Sequence, residues 1–295
     1  MTNVTTKNIE RLPLTNDYVF KRIFAQEGNE SILKDFLEAI LEIKIEKIEV
    51  QNPELPKTDI NEKLGVLDIK VQINKNTIVD VEMQMENEYN MDVRSTTYMG
   101  KMIANQLQKG ENYSNLKKSI VINILNFNYY KRNSYHNIAR MKFEKTSKES
   151  YVDMGYKTEE EIATKYIEMH FIELKKFKKK NPDTKARINQ WLWLLAGGEE
   201  KIEMAEKENK EVKKAVEILD EMSINKEERE RYEAILKAEF NQKVSMYNIE
   251  LKGKKEGEKN KGIEVAKKLL NRKVPIDEIV EITGLNKDEI EELKK

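Results

Sequence analysis

The chain has 295 residues with 53 basic and 53 acidic side chains, so its formal net charge is zero and no overall cationic field indicates a polyanionic partner. It has no cysteine and only two histidines, which excludes disulfides, thiolate nucleophiles and cysteine-type zinc sites and argues against a multi-histidine metal site. The length suits a domain of up to about 200 residues plus an appendage.

Targeting signals are not recognised in this sequence. We find no signal peptide before Leu12, and the longest apolar run, around Trp191 to Ala196, is too short to cross a bilayer. We therefore expect a cytoplasmic protein without membrane contact. Any basic surface that binds nucleic acid must then be local.

The first predicted element is a helix that begins at Tyr18. Asp17 precedes it and has two roles open to it: an N-cap of this helix, or a third carboxylate near a metal ion. A second helix is predicted over about 31–41, and an alternating strand over 43–51. The apolar stripe of the first helix consists of Val19, Phe20, Ile23 and Phe24.

The most regular pattern in the chain runs from Leu64 to Met85. Two segments of alternating apolar and polar residues flank the turn Asn74–Asn76, which is typical of a β-hairpin with one buried face. If these three residues form the loop, Ile73 faces Thr77 and the pairing continues outward one residue at a time.

In this register Asp68 lies opposite Glu82, and Lys70 lies opposite Asp80. A loop one residue shorter or longer would mix the two faces, so the pattern favours the register that brings the carboxylates together. Facing carboxylates repel unless a cation lies between them or one of them stays protonated, and Mg²⁺ binds carboxylates, water and substrate phosphate. Asp68, Glu82 and Gln84 therefore form a candidate Mg²⁺ site. A solvated polar face of an amphipathic hairpin is the alternative.

After the hairpin, a helix is predicted over about 91–109, with Gly110 as its C-cap. Gln106 and Tyr113 bracket this end, and each could hydrogen-bond a phosphate or steady a strand end. Residues 119–127 form the most strand-like run of the chain, and they are apolar enough to be a central strand buried on both faces.

The following region is predicted from weaker patterns. Residues 128–160 are rich in tyrosine and polar side chains, and we predict loops. Residues 166–177 alternate again and predict another strand. His170 lies on it, and because no second histidine is near it in the sequence, we interpret it as a strand residue rather than a metal ligand.

The second half of the chain is predicted to be helical and highly charged from about residue 183 to 250. Residues 251–262 place three glycines among lysine and glutamate, which suggests a linker or a frayed helix. Residues 263–295 are predicted to form a helix-turn-helix-like tail with Gly284 at its corner. The tail is not notably basic, so a helical cap or an oligomerisation element is as good an interpretation as a DNA-binding one.

These motifs together resemble a known nuclease superfamily. Asp68 on one strand and Glu82-Met83-Gln84 on the next are similar to the PD-(D/E)XK nucleases, which use an aspartate and then Glu-x-Lys to hold Mg²⁺ and position a water. In their order and spacing, five motifs resemble the Rpn-type recombination-promoting nuclease and transposase family over nearly the whole chain: NDYVFKRIF, GVLDIKV, VDVEMQ, QLQKGENY and GIEVAKKLL…ITGL.

The resemblance implies an α/β (α+β) fold, a PD-(D/E)XK restriction-endonuclease-like mixed sheet flanked by helices, followed by a helical C-terminal region. It also implies that Asp68 and Glu82 hold Mg²⁺, with Mn²⁺ as a substitute, and that Gln84 takes the position of the usual lysine. Gln84 can hydrogen-bond a water but carries no charge. Lys70, on the facing strand, could supply an ammonium instead.

DNA is the partner that the resemblance implies. Gln106 and Tyr113 resemble the Gln…Tyr pair that some relatives carry beyond the catalytic hairpin. Four lysines could contact the flanking phosphates, although an ordinary solubilising role is open for each of them: Lys101, Lys109, Lys117 and Lys118.

Three hypotheses for function follow. The first is a Mg²⁺-dependent DNA endonuclease linked to recombination or transposition, in which the metal polarises the phosphate and lowers the pKa of the attacking water. The second is a DNA-binding or regulatory protein with a vestigial nuclease core, suggested by Gln84 and the tail. The third is an assembly module, with homo-oligomers formed through the C-terminal helices. The predicted domains are a nuclease-like core at 1–182, a helical extension at 183–250, the linker or frayed helix at 251–262 and the tail at 263–295.

Overall fold

The computed structural model describes residues 10–51, 69–87, 90–142 and 163–293. The chain divides into two compact units, Met1–Tyr232 and Glu233–Lys295. The first unit contains a sheet and its flanking helices, and the second is helical.

Six strands of the described residues form one mixed sheet in the spatial order β1-β2-β3-β4-β6-β5. β2 pairs antiparallel with β1 and β3, β4 lies parallel between β3 and β6, and β5 pairs antiparallel with β6. The prediction of a buried central strand is confirmed by β4. The strands are β1 (Ile48–Val50), β2 (Ile69–Ile73), β3 (Thr77–Gln84), β4 (Lys118–Leu125), β5 (His136–Arg140) and β6 (Ile167–Glu173).

Helices flank this sheet, as the fold prediction requires. Aromatic rings join three of them: the ring centroid of Phe24 in α1 lies 4.7 Å from that of Phe36 in α2 and 5.6 Å from that of Trp191 in α5. Such tilted ring pairs add to the burial of apolar area that holds the helices together. The helices of this unit are α1 (Asp17–Phe24), α2 (Glu30–Leu41), α3 (Met91–Ala104), α4 (Leu174–Lys180), α5 (Arg187–Ala196), α6 (Glu199–Glu208) and α7 (Lys210–Ile224).

The predicted hairpin register is confirmed over the described residues. Ile73 pairs with Thr77, Lys70 with Asp80, and the ladder continues to Ile69. Asn74 begins the turn in the left-handed region, at φ 49°, a conformation that asparagine tolerates better than most residues. Asp68, the next residue outward, lies outside the described residues.

Two predicted helix ends are wrong. Asn16, not Asp17, is the N-cap of α1, because its Oδ1 accepts the hydrogen bond from the Tyr18 amide at 3.0 Å. α3 ends at Ala104 rather than near Gly110. Two residues beyond this end, the side chain of Gln106 is held at the start of β4.

The prediction for residues 128–177 is wrong in two places. β5 lies within the segment predicted as loops, and β6 gives way to α4 at Leu174, so the predicted strand is a strand followed by a helix. β5 is an edge strand whose last three residues are exposed, so no apolar alternation marks it in the sequence.

The second unit is built on α8 (Lys226–Asn271), which begins in the first unit and runs without a break through residues 251–262. α9 (Ile276–Thr283) and α10 (Lys287–Glu292) follow it. Gly284, at φ 68°, ends α9 and makes the corner. None of the helices in the described ranges is long and apolar enough to cross a membrane. The unit has its own buried cluster, formed by Ala266, Ile279, Leu285 and Ile290.

Candidate functional site

One face of β3 carries three polar side chains in alternate positions. Asp80, Glu82 and Gln84 are all buried, and Glu82 is only 1% exposed. Val81 and Met83, between them, point to the opposite face of the sheet. Burying a carboxylate costs free energy unless a hydrogen-bond donor or a cation compensates it. This face of β3 therefore depends on polar partners.

Gln84 is one such partner. Its Nε2 donates a hydrogen bond to Glu82 Oε2 at 3.1 Å. The two side chains lie two residues apart on one strand, so they share a face and meet directly. Gln84 thus gives the buried carboxylate a neutral donor, and its assignment to the lysine position of the nuclease motif stays a prediction.

Lys70 brings a positive charge to the same face. It pairs with Asp80 across the β2–β3 ladder, and directly opposed residues project to one side of a sheet. Asp80 was not among our predicted site residues. Two features of the sequence could have indicated it: Asp80 is two residues from Glu82 on the same strand face, and the predicted register places it opposite Lys70.

A buried amide on β4 completes this face, and sequence reasoning missed it. Asn123 pairs with Glu82 in the parallel ladder and is fully buried. Ser95 of α3 donates to Asn123 Oδ1 at 2.8 Å, and Asn123 Nδ2 donates to the His170 carbonyl at 3.1 Å. A polar residue inside the apolar run 119–127 was the available signal.

α3 covers this face of the sheet. Two apolar clusters flank the Ser95–Asn123 hydrogen bond and remove water from the area around it. Electrostatic interactions are stronger where water is excluded. The first cluster joins Met99 and Met102 to Ile78 and Val121, and the second joins Met91 to Leu125, Phe127 and Phe171.

Gln106 and Tyr113 lie toward the other end of β4. Gln106 Nε2 donates to Ser119 Oγ and its Oε1 accepts from the Lys117 amide, both at 2.8 Å, so it steadies the start of the strand. Ser119 is about 13 Å from Asn123 along an extended strand. Tyr113 is almost fully exposed in a 3₁₀ turn. A DNA contact by either residue stays a prediction, and it would involve a flanking phosphate.

The four lysines differ in their surroundings. Lys101 and Lys109 are exposed. The Lys117 ammonium donates to Gln72 Oε1 at 2.5 Å, on the same face of the sheet as Lys70. Lys118 lies on the opposite face, 3.2 Å from Glu168. Lys101 and Lys109 are therefore the better placed for an outside phosphate.

A second polar cluster lies on the opposite face of the sheet, and it corrects our view of His170. His136 Nε2 is 2.9 Å from His170 Nδ1, so a second histidine is in fact adjacent, brought there by the β5–β6 pairing. Glu168 accepts from His170 at 2.9 Å and from Arg140 at 2.7 Å, and Lys118 lies beside it.

This cluster shifts the pKa of two of its members. Burial lowers the pKa of His136 to about 4, and the charge of His170 adds to the effect. Burial alone would raise the pKa of Glu168, but the hydrogen bonds from His170 and Arg140 and the charge of Lys118 outweigh it, so that pKa falls well below its usual range. In this cluster two cations, Arg140 and Lys118, surround one carboxylate, Glu168, and their contacts join β4, β5 and β6.

The donor chemistry of the β3 face fits a hard divalent cation. Carboxylate and amide oxygens are the ligands that Mg²⁺ prefers, and Asp80, Glu82 and Gln84 supply them. Within the described ranges, no group of three histidine, aspartate, glutamate or cysteine side chains could hold a metal ion. Asp68 lies outside those ranges. Asp17, on α1, is 3.7 Å from Lys21, and its role as a ligand stays a prediction.

The mixed sheet, its flanking helices and its hairpin with buried carboxylates define a fold of the PD-(D/E)XK type. A family model described as PD-(D/E)XK nuclease family transposase matches residues 14–248, which is most of the chain. The chain belongs to this family. No curated protein and no solved structure matches it.

Proposed function

We propose that the chain is a Mg²⁺-dependent DNA endonuclease that hydrolyses phosphodiester bonds, acts in the cytoplasm and is linked to recombination or transposition. The observation that carries the proposal is the buried Glu82 with Gln84 bonded to it, on a hairpin whose register over residues 69–81 is the one that predicts Asp68 opposite Glu82. Membership of a nuclease family of transposases supports it.

In this proposal Asp68 and Glu82 hold the metal ion. When bound, Mg²⁺ polarises a phosphoryl oxygen and lowers the pKa of a bound water. Gln84 fixes the orientation of Glu82 by its hydrogen bond, and Lys70 supplies positive charge to the same face. The exposed Lys101 and Lys109 hold flanking phosphates and position the DNA without reading its bases.

Cleavage of supercoiled plasmid tests the proposal. We expect the wild-type chain to nick DNA with Mg²⁺ or Mn²⁺ and to be inactive with EDTA. Asp68→Asn and Glu82→Gln should each lower the rate at least about 100-fold, because each removes a charge that the metal requires. Glu49→Gln is the matched control, since Glu49 is an exposed carboxylate on β1 of the same sheet, and it should keep wild-type activity.

Circular dichroism and thermal unfolding of each variant separate lost chemistry from lost fold. A folded Glu82→Gln or Asp68→Asn variant that nicks at the wild-type rate would overturn the assignment of these carboxylates. Nicking that persists in EDTA would overturn the metal requirement.

A second candidate function is DNA binding without cleavage, with the nuclease core serving as a scaffold. The neutral side chain of Gln84 favours it, because an amide stabilises developing negative charge less than an ammonium does. It predicts a gel shift of DNA by the wild-type chain with no nicking in either metal. Gln84→Lys should then introduce metal-dependent nicking. A Gln84→Lys variant that does not nick DNA would contradict the idea that the core lacks only this positive charge.

A further inference from the structure

The middle of α8 leaves a line of large apolar side chains exposed to solvent. With a rotation of 100° per residue, the five side chains fall within an arc of about 80°. They extend over about 22 Å of helix. We call this line the α8 seam, and it consists of Leu236, Phe240, Val244, Tyr247 and Leu251, each between 38% and 66% exposed.

We expect such a seam to bind a partner, because proteins in water rarely leave a large contiguous apolar surface exposed. We propose that the α8 seam pairs with the same seam of a second copy of this chain, and that the two helices run antiparallel. The inference goes beyond the proposed nuclease activity and does not depend on it, since none of its residues lies on the sheet.

Four of the five side chains of the seam are self-complementary in their order. When two copies are placed antiparallel about a point between Lys243 and Val244, Leu236 faces Leu251 and Phe240 faces Tyr247. A two-fold interface requires this property, because each residue must meet its counterpart in both directions. Val244 faces Lys243 at the centre, and the two Phe–Tyr contacts lie directly on either side of it, where aromatic anchors contribute strongly to affinity.

The charges at the ends of the seam favour the antiparallel arrangement. The exposed Glu230 and Glu233 precede the seam, and the exposed Lys254 and Lys255 follow it. In an antiparallel pair the acidic end of one helix lies beside the basic end of the other. In a parallel pair acid would face acid and base would face base, which is unfavourable.

The spacing of the seam suits a long helix pair. Leu236 and Phe240 recur as Tyr247 and Leu251 one 11-residue period later, and such a period keeps an apolar line almost parallel to the helix axis. Two straight helices can then stay in contact over the whole seam without supercoiling to the left.

Sedimentation equilibrium of the full-length chain tests the pairing. We expect a species of twice the chain mass of 34.7 kDa. The double variant Phe240→Glu/Tyr247→Glu should raise the dissociation constant at least about 100-fold, because it places charges at the centre of the contact. The matched control is Met246→Glu/Ile249→Glu, two side chains of the same helix that are 64% and 67% exposed but lie outside the seam, and it should stay dimeric.

A wild-type chain that sediments as a monomer at its highest soluble concentration would overturn the pairing. So would a dimer that survives Phe240→Glu/Tyr247→Glu or that is lost equally in the control.

A charge exchange tests the direction. Glu233→Lys and Lys255→Glu should each raise the dissociation constant about 3- to 10-fold, because each creates like-charge neighbours in both halves of the dimer. The double variant Glu233→Lys/Lys255→Glu should restore wild-type affinity in an antiparallel pair. In a parallel pair the two positions are about 33 Å apart, so a double variant as weak as the single ones would overturn the antiparallel arrangement.

Discussion

At the scale of single residues, Gln84 shows how a carboxylate is kept buried beside a neutral side chain. A lysine ammonium at this position would balance the charge of Glu82, whereas the amide offers one hydrogen bond at 3.1 Å. A hydrogen bond from a neighbouring side chain orients a carboxylate that binds a divalent cation. In the proposed function, the glutamine would therefore orient Glu82 toward the metal ion and would stabilise negative charge on the phosphate less than a lysine would.

Replacing Gln84 separates these two effects. Gln84→Ala removes the donor that orients Glu82, and we expect a 10- to 100-fold loss of Mg²⁺ affinity, of the size found for other residues that orient metal ligands. Titration calorimetry with Mg²⁺ measures this directly, alongside the Mg²⁺ dependence of nicking. Gln72→Ala, a glutamine on β2 of the same sheet, is the control and should change neither. Equal Mg²⁺ affinity in Gln84→Ala and the wild type would contradict the orienting role.

The strand register around Glu82 could be predicted from the sequence, whereas the N-cap of α1 could not. The alternation around Glu82 and the asparagines of the turn predict the strand register correctly, because a shift by one residue would expose the whole apolar face. The N-cap of α1 could not be chosen in this way. Asn16 and Asp17 are adjacent and have nearly equal capping preference, so only the three-dimensional geometry selects Asn16.

At the scale of elements, one buried hydrogen bond joins α3 to the central strand. Ser95→Ala would leave the Oδ1 of Asn123 without the donor that it has in the native structure. We expect a loss of about 1–3 kcal/mol in the free energy of unfolding. Thr97→Ala is the control, because the exposed Thr97 hydroxyl donates only to the Val93 carbonyl of its own helix. Equal free energies of unfolding for the two variants in chemical denaturation would contradict a stabilising role of the Ser95–Asn123 hydrogen bond.

The histidine pair between β5 and β6 makes stability depend on pH. The pKa of His136 is about 4 in the folded chain, against an ordinary value of 6.5 that applies when the chain unfolds. The unfolded state therefore binds a proton first as pH falls, so the contribution is complete above pH 6.5 and is lost progressively toward pH 4. Between pH 8 and pH 5 we expect a loss of about 2 kcal/mol from this residue.

His136→Gln tests this dependence by removing the titrating group while keeping a polar side chain. Its free energy of unfolding should fall less than that of the wild type between pH 8 and pH 5. The lowered pKa of Glu168 acts in a lower range, where stability is lost as pH falls below the ordinary value of 4.5, so it does not obscure the comparison. Parallel pH curves for the two chains would refute the role of His136.

The same two strands show why part of the fold could not be predicted. β5 has the burial pattern of an exposed edge, so its sequence carries no apolar alternation, and only pairing with β6 makes it a strand. His136 and His170 are far apart in sequence, and their contact follows from that pairing. Local patterns thus predict the central strands, whereas the edge depends on a long-range partner.

At the scale of the whole molecule, two units of different construction share one chain. The first owes its stability to a sheet and the helices against it, and the second to three helices around a small apolar cluster. A unit with its own buried core can unfold and refold while the rest of the chain stays folded. Residues 251–262, for which the sequence suggested a linker or a frayed helix, are continuous helix, so the separation arises from packing and not from a break in secondary structure.

A core substitution in the second unit tests this separation. Ile279 is fully buried, and Ile279→Ala should destabilise that unit by about 2–5 kcal/mol through lost burial and a cavity. Hydrogen exchange should then accelerate at α9 and α10 while β3 and β4 keep the protection of the wild type. Ile282→Ala, on the same helix but largely exposed, is the control and should leave both regions unchanged. Equal acceleration at β3 and β4 in Ile279→Ala would mean that the chain unfolds as one cooperative body, because the loss in one core would then lower the protection of both.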